Sequence, residues 1–119
     1  MKIILSIKPQ FVREIFEGSK RFEYRRIMCK RPVDTVIIYC SAPISMVVGE
    51  FSVKRVIAET PDSLWRLTRD MAGINKEYFD NYFFKREKGF AFQISIQDFR
   101  TGSILLYSKR KSFGNIINR

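Results

Sequence analysis

Apolar positions in this chain come in short bursts whose period changes repeatedly, and each change marks an element. Ile3 to Ile7 make an apolar run of strand length. Pro9 follows, and Phe11, Val12, Ile15 and Phe16 then recur at helical spacing until Gly18 supplies the stop. In the next stretch, "GSKRFEYRR" from Gly18 to Arg26, Phe22 and Tyr24 alternate with charged residues as in a half-exposed strand. A regular strand there places Lys20, Phe22 and Tyr24 on one face and Arg21, Glu23 and Arg25 on the other. Lys30 to Asp34, with Pro32, reads as a turn, and "TVIIYC", Thr35 to Cys40, as a buried strand rich in β-branched residues.

After "SAPIS" the alternation resumes from Met46 to Ala58, predicting Val47, Phe51 and Val53 on one face and Glu50, Ser52 and Lys54 on the other. Gly49 within it marks a bulge or a close backbone approach. Thr60 and Pro61 supply an N-cap and a first-turn proline for a helix whose Leu64, Trp65, Thr68 and Met71 share a face and which ends at Gly73, with Trp65 in the core. Asn75 caps a second short helix carrying Tyr78, Phe79, Tyr82 and Phe83, and rings at helical spacing are expected to pack the helix pair onto a sheet. Gly89 then leads into "FAFQISIQDF", with Phe90, Phe92, Ile94 and Ile96 opposed to Gln93, Ser95 and Gln97. Thr101 and Gly102 form a turn into "SILLY", before a tail without a single acid. The expectation is an α+β fold: one domain over residues 1–119 with a basic tail from about 108 to 119, its five to six short strands curled into a sheet or partly closed barrel.

Composition narrows the chemistry. Lys and Arg outnumber Asp and Glu 22 to 12, a formal charge of +10 on 119 residues, which favours a polyanionic partner, nucleic acid first; the plainer reading is a surface that keeps a small protein in solution. There is no histidine, which excludes Ser-His-Asp and Cys-His catalysis and His-ligated zinc within the chain. Cys29 and Cys40 make no disulfide framework, and with no leader pattern and no apolar run long enough to span a bilayer, the expected setting is cytoplasmic with reduced thiols and no membrane partner. No carboxylate cluster for magnesium is visible, so neither metal nor cofactor is expected. Any catalysis would fall to Lys, Glu, Asp, Tyr, Ser or Thr.

Glu23 is the residue that charge alone does not explain. It could simply pair with Arg21 and Arg25 on a solvated ladder. Alternatively Gly18 lets the backbone bend towards a ligand, Lys20 projects into a pocket, and Glu23 accepts hydrogen bonds from a base edge.

The stretches "SIKPQFVREIFEGSKRFEYRR" and "IIYCSAPISMVVGEFSVKRVIAETPDSLWRLT" resemble the ASCH domain, the activating-signal-cointegrator homology family of the PUA-like superfamily. That family's signature of Gly, any residue, Lys, two residues, Glu, any residue, Arg is met by Gly18, Lys20, Glu23 and Arg25, and the resemblance runs from Ile3 to about Ile96. It implies a small β-barrel flanked by helices, with a cleft beside the signature loop suited to RNA or a nucleobase. Lys20 and Glu23 would line that cleft, with Arg25 as phosphate or structural partner. Relatives include an amidohydrolase acting on N4-acetylcytidine and others with ribonuclease activity. The amidohydrolases carry a nucleophilic threonine where this chain has Glu23, so their acyl-enzyme route does not transfer; Lys20 as general base with Glu23 on water remains chemically open. The resemblance also places Ser41 at the pocket wall, although serine before Ala-Pro is a common turn former. Lys8 could reach the same cleft or lie solvated at the helix start. Tyr24 and Tyr39 could stack a base or be buried with satisfied hydroxyls. Ser112 and Phe113 resemble a C-terminal pair of the family. The function so implied is RNA or nucleobase binding, with an RNA-directed hydrolase and a protein-interaction module as the alternatives.

Overall fold

The structure is a computed structural model and describes residues 1–95. It is α+β, as expected: β1 (Lys2–Ile7), α1 (Pro9–Glu17), β2 (Phe22–Arg25), β3 (Thr35–Cys40), β4 (Met46–Glu59), α2 (Pro61–Thr68), a 3-10 turn (Arg69–Met71), α3 (Lys76–Tyr82) and β5 (Gly89–Ser95). The expected turn at Thr101–Gly102, the "SILLY" segment, Ser112, Phe113 and the basic tail lie outside the described residues.

The five strands form one sheet in the order β1-β3-β4-β5-β2. β1 runs parallel to β3 across the crossover that carries α1, and the other pairings are antiparallel. The sheet is curled but not closed into a barrel. β1 and β2 are its two edges, and they run antiparallel to one another across the remaining gap.

Two bulges bend the 14-residue β4. Pairing to β3 jumps from Gly49 to Val47, leaving Val48 as the extra residue, and pairing to β5 jumps from Val53 to Arg55, leaving Lys54. The first bulge reverses the expected parity: Val48 is buried while Val47 is 55% exposed. The bulge foreseen from Gly49 is real, and it puts a different valine in the core.

Two apolar clusters result. One packs Val12 and Ile15 of α1 against Val36, Ile38, Cys40, Val48, Phe51, Phe92 and Ile94 of the sheet. The other packs Phe22, Tyr24, Ile57 and Ala91 against Leu64, Ala72, Phe79 and Phe83 from the α2–α3 region. β5 therefore serves both clusters with alternate residues, and β2 beside it is buried along Phe22, Glu23 and Tyr24. The half-exposed strand expected at "RFEYRR" is overturned by this double cover. Helix α2 starts at Pro61 with Thr60 Oγ1 accepting from the Ser63 N–H, and α3 starts with Asn75 Oδ1 accepting from the Tyr78 N–H, both as the sequence indicates. Met71, assigned to the buried face of α2, is 38% exposed because the helix ends at Thr68 and the 3-10 turn swings it outward.

Candidate functional site

The gap between the sheet edges opens into a cavity of about 440 Å³. One wall is β1 with Lys8, the other is β2 with Arg26, and Phe11 of α1, Ile74 of the turn before α3, and Tyr78 and Tyr82 of α3 complete it. Lys20 and Glu23 lie at its floor, 2% and 4% exposed.

The loop between α1 and β2 carries this floor. Gly18 adopts φ +89°, a left-handed cap, and the N–H groups of Gly18, Ser19 and Lys20 all converge on the Glu14 carbonyl, winding the chain back over the helix end. The Arg21 N–H then binds the Met71 carbonyl at 2.8 Å, which ties the loop to the segment after α2. There Gly73, at φ +69°, passes so close to Lys20 that a Cβ at Gly73 would stand 2.5 Å from the Lys20 Cβ. The lysine stem is clamped, and its ammonium is delivered between the rings of Phe11 (5.3 Å) and Tyr24 (4.9 Å).

Lys20 Nζ donates to the Ala72 carbonyl at 2.8 Å and lies 3.8 Å from Glu23 Oε1. One of its three N–H donors is thus hydrogen-bonded. Burial holds its pKa below the usual lysine value, opposed by the charges of Glu23 and Glu14 and aided by that of Arg25. The other carboxylate oxygen, Glu23 Oε2, accepts from Arg25 Nη1 at 2.6 Å. Arg25 also donates to the Tyr24 carbonyl (2.9 Å) and, through Nη2, to the Ser6 carbonyl of β1 (3.1 Å). One guanidinium therefore joins both sheet edges and fixes the Glu23 carboxylate between them. Ordered arginine and lysine donors around one acceptor give the floor both kinds of hydrogen-bonding group.

Tyr24 contributes its ring, while its hydroxyl is satisfied: it donates to Thr68 Oγ1 at 2.7 Å, and Thr68 Oγ1 donates to the Leu64 carbonyl at 2.7 Å. Burial pushes the Tyr24 pKa up to about 12, with the charge of Glu23 adding to the rise and the hydrogen bond to Thr68 opposing it. A tyrosine whose folded pKa lies above its unfolded value of 10 stabilises fully below pH 10 and loses that contribution as pH rises towards 12. Two pK units correspond to about 2.7 kcal/mol. Urea unfolding between pH 9 and pH 12 is expected to show Tyr24→Phe closing most of its stability gap to the unsubstituted protein at the alkaline end; a constant gap across that range would contradict the burial argument.

The structure thus brings Lys8, Lys20, Glu23, Tyr24 and Arg25 to one cavity and leaves Tyr39 and Ser41 off its wall. Tyr39 is half-buried in β3, and the Ser41 N–H is committed to the Ile7 carbonyl where β3 ends, in keeping with a turn. Tyr78, Tyr82, Arg26 and Ser6 were not foreseen as wall residues. Tyr78 and Tyr82 stand four apart on α3 beside Phe79 and Phe83, and the helix sends the phenylalanines to the core and the tyrosines to the cavity. Their hydroxyls were the one signal in the sequence that could have separated the two stripes. Among the described residues no group of three or more His, Cys, Asp or Glu is placed to hold a metal, and no helix is long and apolar enough to cross a membrane.

Comparison with known proteins follows the same outline. The sequence model of the ASCH domain matches residues 5–98. A curated ASCH domain-containing ribonuclease of Zymomonas mobilis is 27% identical over 90 residues, covering 75% of this chain and 61% of that protein. The ATP synthase subunit alpha of Ureaplasma parvum is 27% identical over 82 residues, covering 67% of this chain and 10% of the subunit. The crystal structure of ASCH from Zymomonas mobilis superimposes with a TM-score of 0.75 at 19% identity, covering 98% of this chain and 93% of that one. The chain spans less than two thirds of the length of either curated relative.

Proposed function

This chain belongs to the ASCH domain family, and on that premise we propose that its cavity receives a nucleobase of single-stranded RNA. The observation that carries the reading is the buried Lys20–Glu23 pair, held by the partly exposed Arg25, at the floor of an aromatic-walled cavity of about 440 Å³. A heterocycle needs apolar faces and, at its edge, both donors and acceptors. The half-buried rings of Phe11, Tyr78 and Tyr82 offer the first; Lys20 Nζ and Glu23 Oε1 offer the second. A buried charged pair is costly to keep without a polar ligand to engage it. The formal charge of +10 and the ribonuclease named among the relatives agree with RNA as the source of the base.

The test is an NMR titration of the protein with the four ribonucleosides and short single-stranded RNAs, observing lysine and arginine side-chain signals. Lys20 and Arg25 signals are expected to shift saturably, and Glu23→Gln to weaken binding by about tenfold, the loss of one charged acceptor. Saturable binding that leaves Lys20 and Arg25 unmoved would place the ligand elsewhere and end the proposal.

The lowered pKa of Lys20 favours a second reading, hydrolysis of RNA. In that reading an unprotonated Lys20 amine would take the proton of the attacking water as its oxygen bonds to phosphorus, and the ammonium so formed would return that proton to the 5′-oxygen as the P–O5′ bond breaks, with Glu23 and Arg25 orienting the group. Turnover of short RNAs by the unsubstituted protein, abolished in Lys20→Met, supports it; binding without turnover leaves the domain a recognition module.

A further inference from the structure

Two cations stand at the cavity mouth, each against one tyrosine of α3. Lys8 Nζ lies 5.5 Å from the centre of the Tyr78 ring, and the Arg26 guanidinium lies 4.7 Å from the centre of the Tyr82 ring. Both cations are exposed, both line the cavity, and they approach from opposite walls: Lys8 follows the end of β1, Arg26 the end of β2. Because β1 and β2 run antiparallel across the gap, with Arg25 meeting Ser6 in between, Lys8 and Arg26 fall at opposite ends of the slot. Tyr78 and Tyr82 are one helical turn apart, about 6 Å along α3, a span comparable to that between consecutive phosphates of an extended strand.

The tyrosines hold these cations in place without neutralising them. Tyr78 is itself braced edge-on by Phe11, with ring centres 5.2 Å apart, and the Tyr82 hydroxyl donates to the Tyr24 carbonyl at 3.2 Å. No carboxylate is recorded in an ion pair with Lys8 or Arg26 among the described residues, whereas Lys20 and Arg25 at the floor share Glu23. The charge at the mouth is therefore free for a ligand, and it is doubled, at two separated points.

We propose that Lys8 and Arg26 form a rim clamp for the two phosphates that flank the nucleotide inserted in the cavity, so that the preferred ligand is an internal residue of a strand and not a free nucleoside. This rests on the cavity receiving a base, and it adds the polymer requirement. Each cation oriented over its ring meets one phosphate, and the strand crosses the slot while its base points down to Lys20 and Glu23.

The experiment compares ribonucleosides with ribotrinucleotides, whose two phosphates flank the central nucleoside, by calorimetric titration at several salt concentrations. The unsubstituted protein is expected to bind the trinucleotides at least tenfold more tightly. Lys8→Gln and Arg26→Gln are each expected to lower trinucleotide affinity several-fold, to reduce the salt slope by about 0.7 as one phosphate contact is lost, to weaken nucleosides by a clearly smaller factor, and to leave the unfolding midpoint unchanged. Equal weakening of nucleoside and trinucleotide by these variants, or no change in either, overturns the clamp. If nucleosides fail to bind and Glu23→Gln has no effect on trinucleotides while both rim variants still lower affinity and slope, the clamp stands and the base-in-cavity reading falls.

Discussion

Glu23→Ala is expected to destabilise the protein by about 3–5 kcal/mol, the range for removing one partner of a buried ion pair, and to abolish nucleoside binding. Lys20 is 2% exposed and would keep only the Ala72 carbonyl as a partner, while its ammonium would still lie between two aromatic rings. Arg25 would keep the Tyr24 and Ser6 carbonyls and, at its partly exposed position, reach water. The stranded charge is therefore that of Lys20. A double variant, Lys20→Met with Glu23→Leu, removes both charges and is expected to recover most of the lost stability without recovering binding. Urea unfolding at neutral pH reads the first quantity and nucleoside titration the second. A single variant within about 1 kcal/mol of the unsubstituted protein, the level of a solvated pair, would show that the cluster is hydrated and not a preorganised floor.

Gly73→Ala should be comparably damaging although Gly73 lies more than fifty positions from the signature loop. Two costs combine. The φ of +69° is a left-handed conformation that alanine adopts only with strain, and the new Cβ would meet the Cβ, Cγ and Cδ of Lys20 at 2.5–2.9 Å. The Lys20 stem cannot swing aside, because its own backbone N–H is held by Glu14 and its ammonium by Ala72. A loss of about 2–4 kcal/mol follows from strain and overpacking together, with Lys20 displaced from the cavity. Thermal unfolding measures the first effect, and the loss of the ligand-dependent Lys20 signal the second. An alanine variant of ordinary stability with an unchanged Lys20 signal would mean that the clamp on the stem is loose.

Glu23 also shows why the site was only half legible from sequence. The alternation in "RFEYRR" correctly opposes Glu23 to Phe22 and Tyr24: in the pairing with β5, Glu23 lies opposite Phe92, while Phe22 and Tyr24 lie opposite Gln93 and Ala91. Alternation reports which residues share a face, yet it cannot say whether either face meets water. The α2–α3 cluster covers one face of β2 and the inner sheet core reaches the other, so a pattern typical of half-exposed strands became a buried one. Lys20 was grouped with Tyr24 by the same rule, and it does meet the Tyr24 ring, though it precedes the strand and reaches there through the glycine-capped loop.

Local chemistry, readable along the chain, determined the α+β character, the starts of all three helices from Pro9, Thr60–Pro61 and Asn75, the stop at Gly18 and the buried β3. These depend on caps, fixed φ values and side-chain period, which act over a few residues. The tertiary structure alone decided the order β1-β3-β4-β5-β2 and the gap between its edges. It also decided the parity reversal at Val48, the meeting of Gly73 with Lys20, the two tyrosines turned to the cavity, and the absence of Tyr39 and Ser41 from its wall. Each of these is a contact between segments distant in sequence, and such contacts follow from how two apolar cores share one curled sheet, a global packing solution that no local pattern encodes.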